Sequence, residues 1–173
     1  MNKKEVFGLF SRYILLVILG SFNLFLFYLV FTPLTVYPSF FILRVIYDAT
    51  LVSSTTIFLK GFYANIIPAC IAGSAYYFLL IINLSTPMKL KTRILSIFFL
   101  VFVFLFLNVL RIIFFASLIF KGFQYFDVAH SATWYFGSTI LIILIWFANV
   151  KIFNIEKIPI YSDIKSIIGD LIK

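Results

Sequence analysis

From Ile94 to Phe120 the chain carries one charged side chain, Arg111; apart from Ser96, Asn108 and Ser117 the rest of the run is apolar. A run of that length exceeds the ~20 residues that a helix needs to cross the hydrocarbon core of a bilayer. Inside lipid no water can satisfy backbone N–H and C=O groups, so such a run must bond within itself, as a helix does. Three further apolar runs flank it: Tyr13 to Phe31, Cys70 to about Leu84 (stretching to Met88), and Ser131 to Val150. With 64% hydrophobic and 12% charged residues and a mean hydropathy of +1.14, the chain lies far from soluble usage. The sequence therefore predicts an all-α polytopic membrane protein, residues 1–173 forming one transmembrane domain with about four helices, over 13–31, 70–88, 94–120 and 131–150. The first run follows Lys3, Lys4 and Arg12 and has no small-residue cleavage site, so it reads as a retained signal-anchor.

Orientation follows from the positive charges, which favour the cytoplasmic side. With the N-terminus inside, Lys3, Lys4, Arg12, Lys89, Lys91, Arg93, Lys151, Lys157, Lys165 and Lys173 are cytoplasmic, leaving Arg44, Lys60 and Lys121 outside and Arg111 in the membrane. A fifth span over 34–59 would bury Arg44 and Asp48 at ~2.5–3.5 kcal/mol each and would put most positives outside. The net charge of +8 is thus explained by topology and anionic lipid, and no nucleic-acid partner is expected.

Between the first two spans, Tyr37 to Leu51 reads as an interfacial helix on the outer surface, with Arg44 and Asp48 four apart on one face. The β-branched and aromatic stretches 55–59 and 62–67 flank Lys60-Gly61, which predicts a short β-hairpin leading into Cys70. Residues 151–173 read as a cytoplasmic amphipathic tail, with Ile164, Ile167, Ile168, Leu171 and Ile172 at helical spacing.

This topology brings three chemically distinctive residues toward the outer boundary. Cys70, the single cysteine, follows Pro68 at a helix start, where unpaired N–H groups and the positive end of the helix dipole favour a thiolate. His130, the single histidine, opens the last span, where a helix N-terminus favours the neutral ring; Asp127 just upstream could orient it. Arg111 lies nine residues before Phe120, ~13 Å below the outer end, and Asn108 is one turn away on the same face. A guanidinium at that depth needs a partner or a polar recess. Gly73, one turn after Cys70, leaves room for close approach. Each residue also has a plain structural reading: a small apolar cysteine, an interfacial histidine, an arginine paired to a helix carbonyl. No Gly-rich phosphate loop, metal pattern or serine elbow is present, and no cofactor or metal is expected.

Pro68-Ala-Cys70-Ile-Ala-Gly73, Asn108-Val-Leu-Arg111, and His130 followed by Gly137, in that order on successive spans, resemble the exosortase/archaeosortase family of membrane cysteine transpeptidases, over roughly residues 37 to 150. The resemblance implies an extracytoplasmic enzyme acting on the C-terminal tails of secreted proteins (a short motif, an apolar span, a basic cluster) through a thioacyl intermediate. In it Cys70 would be the nucleophile, His130 the proton shuttle and Arg111 the oxyanion or substrate partner, supported by Asn108, Gly73 and Asp127. A membrane lipid amine or another nucleophile would accept the product, and water would make the enzyme a protease. The alternatives are a non-catalytic transporter subunit or assembly scaffold, and a thiol-dependent acyltransferase. Membrane-impermeant maleimide added to intact cells is expected to label Cys70, and labelling that requires permeabilised cells would reverse the orientation.

Overall fold

The structure, a computed structural model, describes residues 3–156 and 159. Helix α1 (Lys3–Gly20) leads through a 3-10 turn (Phe22–Leu24) into α2 (Phe25–Tyr47). A three-stranded antiparallel sheet follows, made of β1 (Thr50–Leu51), β2 (Thr56–Leu59) and β3 (Phe62–Asn65) in that spatial order. Then come the one-turn helix α3 (Pro68–Ile71), α4 (Gly73–Leu84), α5 (Leu90–Phe120), α6 (Phe126–Ala132), a π-helical segment (Thr133–Gly137) and α7 (Ser138–Phe153). Three helical stretches are long and apolar enough to cross a membrane: Phe25–Tyr47, Leu90–Phe120 and Phe126–Phe153. Phe7–Gly20 and Pro68–Leu84 are shorter apolar helices.

The largest departure from expectation lies at the N-terminal side. The span expected over 13–31 breaks at residues 21–24, where Asn23 (φ 52°) and Leu24 (φ 58°) are left-handed. Asparagine tolerates that conformation; leucine does so at a cost of about 1–2 kcal/mol. Beside the break, Tyr77 fills the space next to Gly20 and donates its hydroxyl to the Leu16 carbonyl at 2.9 Å, a contact far away in sequence that packs α4 against the end of α1. The interfacial helix expected over 37–51 is likewise not a separate element. Its first part continues α2, straight through Pro33 and Pro38, and its last residues are the Asp48 cap and β1. Proline inside a helix costs one backbone bond, and the apolar periodicity of the segment tolerates the loss, as membrane helices do. Asp48 is left-handed and pairs with Lys60 at 3.3 Å instead of Arg44, an exposed contact of little energetic weight.

The hairpin is present as expected. Lys60-Gly61 forms its turn, with Gly61 at φ 115°, a conformation open to glycine alone. The alternating inward residues of β2, Ile57 and Leu59, are fully buried. The second span is cut by left-handed Ala72 and ends at Leu84, short of 88. The fourth starts earlier, at Phe126, and contains the π segment. The amphipathic tail predicted from Ser162 lies outside the described residues.

Ring contacts establish how the helices run. Phe31 stacks on Tyr76 at 3.7 Å, Tyr76 meets Phe104 edge-on at 4.7 Å, and Tyr47 meets Phe120 at 4.6 Å, so α2 and α5 run the same way. Helices α4 and α7 run against them. The bundle thus has a hairpin end, holding the sheet, α3 and α6, and an opposite end around Arg93.

At the Arg93 end a buried polar chain ties three helices together. Asn83 donates to Ser96 at 2.6 Å and Ser96 to Asn149 at 2.8 Å, joining α4, α5 and α7. Arg93, counted above as a cytoplasmic charge, is only 9% exposed and donates to the carbonyls of Asn83 and Thr86 at 2.8 and 2.9 Å. The Asn83 carbonyl belongs to the last turn of α4, where it has lost its i+4 donor and accepts the Thr86 N–H at 3.2 Å, and the Thr86 carbonyl lies two residues past the helix end. Arg12 performs the same service from α1, reaching the Leu84 carbonyl at 3.0 Å. Outward-facing residues are meanwhile large and apolar, Val45, Phe98, Phe102, Phe106 and Phe147 among them. Lipid is as apolar as they are, so the polar bonds and close packing hold the helices together. Ser96→Ala deletes both of its bonds and is expected to cost about 1 kcal/mol, with Arg93→Met costing more; thermal unfolding in detergent measures both.

Candidate active site

Cys70 is placed by a turn that starts and stops within four residues. β3 hands over through extended Ile67, Pro68 takes the first helical position, and Cys70 donates its N–H to Ile67 O at 2.8 Å. Ala72 then turns left-handed (φ 59°, ψ 45°) and its N–H closes the turn on Pro68 O at 3.1 Å. A non-glycine residue held there stores about 1–3 kcal/mol of strain. The helix-dipole reason for a thiolate falls away with this geometry, because one turn aligns too few peptides to act as a macrodipole.

The break has a second consequence. In a continuous helix the carbonyls of Cys70 and Ile71 would accept from Ser74 and Ala75. Here Ala75 N donates to Ala72 O instead, at 3.0 Å, and the upstream carbonyls point at α5. Asn108, 1% exposed, takes both with Nδ2, at 2.9 Å to Cys70 O and 3.4 Å to Ile71 O. Arg111 donates Nη2 to Cys70 O at 3.4 Å. Its guanidinium is within electrostatic reach of Cys70 and of the Tyr76 hydroxyl, which is buried without a hydrogen-bond partner among the described residues. The structure thus joins Cys70, Asn108 and Arg111.

His130 belongs to the same face of α5 at a greater distance. It is exposed, lies parallel to Phe126 at 5.5 Å and meets Phe115 edge-on at 5.1 Å. Asn108, Arg111 and Phe115 follow one another at helical spacing, so the Cys70 turn and the imidazole contact one stripe of α5, ~10 Å apart along its axis. No hydrogen bond joins His130 to Cys70. Asp127, exposed on the first turn of α6, does not hold the ring; the two phenylalanines do. Gly73 packs under the ring of Tyr28, which a Cβ would approach to 3.0 Å.

A cavity of about 560 Å³ opens beside the turn. Pro68, Ala69 and Ala72 form one wall, Arg111 and Tyr28 lie across it, and Trp134, Ser138, Thr139, Ile142 and Ile143 close the far side. The π segment shifts the register of the last helix by widening one turn; Ser138 Oγ donates to the Trp134 carbonyl, and Thr139 Oγ1 to Tyr135 O at 3.2 Å. Tyr28, Tyr76, Trp134 and Ser138 carried no motif, and only the packing singles them out. Neither Cys70 nor His130 lines this cavity; a peptide or acyl chain entering it would meet Pro68, Ala69 and Ala72 on either side of the cysteine, the Arg111 guanidinium, and a largely apolar remainder.

The chain matches no protein-family model, no curated protein and no solved structure.

Replacing Asn108 with Leu strips the Cys70 and Ile71 carbonyls of their best donor. The expected outcome is a loss of about 1–3 kcal/mol in detergent unfolding together with faster maleimide labelling of Cys70; unchanged labelling would mean that Asn108 does not hold the turn.

Proposed function

We propose that the protein is a membrane-embedded cysteine peptidase or transpeptidase that processes the C-terminal tails of secreted proteins, as its resemblance to the exosortase/archaeosortase family implies. The observation that carries the reading is the treatment of Cys70. The only cysteine sits on a strained one-turn element whose backbone is clamped by Asn108 and Arg111 and whose neighbouring residues Pro68, Ala69 and Ala72 line a cavity.

In the proposed reaction the Cys70 thiolate attacks the scissile carbonyl carbon and forms a C–S bond. The guanidinium N–H groups of Arg111 that face the cavity stabilise the oxyanion. The C–N bond then breaks, and the leaving amine takes the proton that His130 removed from the thiol. A lipid amine attacks the thioacyl carbon and releases Cys70; water in its place gives hydrolysis. His130 rests on Phe126 and Phe115, so proton transfer requires it to swing off that stack toward the cavity. By the charge distribution the hairpin end faces outward and both termini inward, which presents Cys70 to secreted substrates.

The apolar far wall of the cavity favours one second reading: a thiol acyltransferase that carries a lipid acyl group on Cys70. Intact-protein mass spectrometry separates the two by the mass of the adduct.

The test uses full-length protein in nanodiscs with tailed peptides bearing a randomised motif, an apolar span and a basic end. Cleavage is expected to vanish in Cys70→Ala and to fall ~10²–10³-fold in Arg111→Ala and ~10²–10⁴-fold in His130→Ala. Undiminished cleavage by Cys70→Ala would sink the mechanism.

A further inference from the structure

Strand β3 is an edge. It pairs with β2 on one side, and among the described residues nothing pairs with it on the other. The register shows which of its groups are free. Lys60-Gly61 is a two-residue turn, so Leu59 and Phe62 close it as a hydrogen-bonded pair, and bonded and non-bonded pairs then alternate. Ala64 therefore bonds to β2, and so does Ile66, whose N–H reaches Thr55 O at 2.8 Å. Tyr63 and Asn65 fall on the opposite phase: their N–H and C=O groups point away from β2, and both side chains are exposed. Only Ile66 and Ile67 separate this edge from Pro68 and Ala69, the first residues of the cavity wall.

We propose that the free edge of β3 receives the extended segment of the tailed substrate that precedes its scissile bond, as a parallel fourth strand bonded to the main chain of Tyr63 and Asn65. The proposal rests on the peptidase reading above. Alternating free donors and acceptors on an edge are matched best by another extended backbone. A strand parallel to β3 runs toward Cys70, delivers its next residues to the thiol, and passes its apolar continuation into the cavity between α4 and α7. A second copy of the chain is the weaker occupant: two outward residues per strand bury far too little surface for a stable dimer, whereas a peptide already anchored by its apolar span needs only to be oriented. Main-chain pairing also leaves motif recognition to alternate side chains, with Tyr63, against Phe58 at 5.0 Å, beside the first of them.

The experiment places p-benzoylphenylalanine at position 63 of the full-length Cys70→Ala protein in nanodiscs and photo-crosslinks it to the tailed peptides. Peptides N-methylated at every second residue before the scissile bond are compared in the two phases. The expected result is a crosslink lost roughly tenfold in one phase and retained in the other, as the period of two demands. Asn65→Pro in the active protein removes an N–H that β2 does not use and is expected to raise KM roughly tenfold. A crosslink equally sensitive to both phases, none at all while the wild type cleaves, or one joining two copies of the chain overturns the edge proposal and leaves the peptidase standing. A phase-dependent crosslink without wild-type cleavage retains the edge as a peptide-binding surface and removes the peptidase.

Discussion

Every place where the chain stops being a regular helix leaves backbone carbonyls without donors, and in an apolar bundle the protein itself must supply them. Tyr77 adds a donor to Leu16 in the last turn of α1, just before the break. Arg12 and Arg93 answer Leu84, Asn83 and Thr86 at the end of α4, and Ser138 answers Trp134 in the π segment. Asn108 and Arg111 answer Cys70 and Ile71. The polar side chains scattered through an otherwise apolar sequence are thus accounted for largely by breaks elsewhere in the chain. The arrangement of the helices depends on these long-range bonds, because burying apolar side chains gains little when lipid surrounds them.

Between the polar ends, aromatic rings carry the packing. Tyr76 lies between Phe31 of α2 and Phe104 of α5, and Phe27 meets Tyr77 edge-on at 5.8 Å. Contacts of this kind contribute about 0.5–1.5 kcal/mol each beyond area, and they hold the middle of α4 against both neighbours. This fixed α4 is the base on which the Cys70 turn stands. The turn can remain strained because its two sides are held independently, by β3 through Ile67 and by α5 through Asn108 and Arg111.

The site has two parts of different character. Around Cys70 the backbone is buried and held by charged and amide donors. Around His130 the helix is short and exposed, the imidazole rests against Phe115 and Phe126, and a π segment of the kind that commonly marks functional positions follows. Under the proposed mechanism, a firmly held Cys70 turn and a loosely held His130 suit chemistry in which substrate arrival completes the site.

Much of the fold was legible in the sequence, because lipid-facing helices leave long apolar runs and a hairpin leaves β-branched residues around a glycine turn. Residues 94–120 read as one helix and are one; 55–67 read as a hairpin and contain one, with β1 as an addition too short to signal itself. Cys70, Asn108 and Arg111 stood out as rare groups in apolar surroundings, and helical spacing put the last two on one face. Tertiary contacts decided the rest. The break at 21–24 lies beside a contact with Tyr77, and Pro33 and Pro38, which suggest an interruption locally, lie within an unbroken α2. Whether Arg93 is a solvated charge or a buried clamp depends on where α4 ends, and whether His130 meets the thiol or a phenylalanine stack depends on how α6 packs on α5. Hydropathy is a sum over neighbours in sequence; the partner of an orphaned carbonyl is a neighbour only in space.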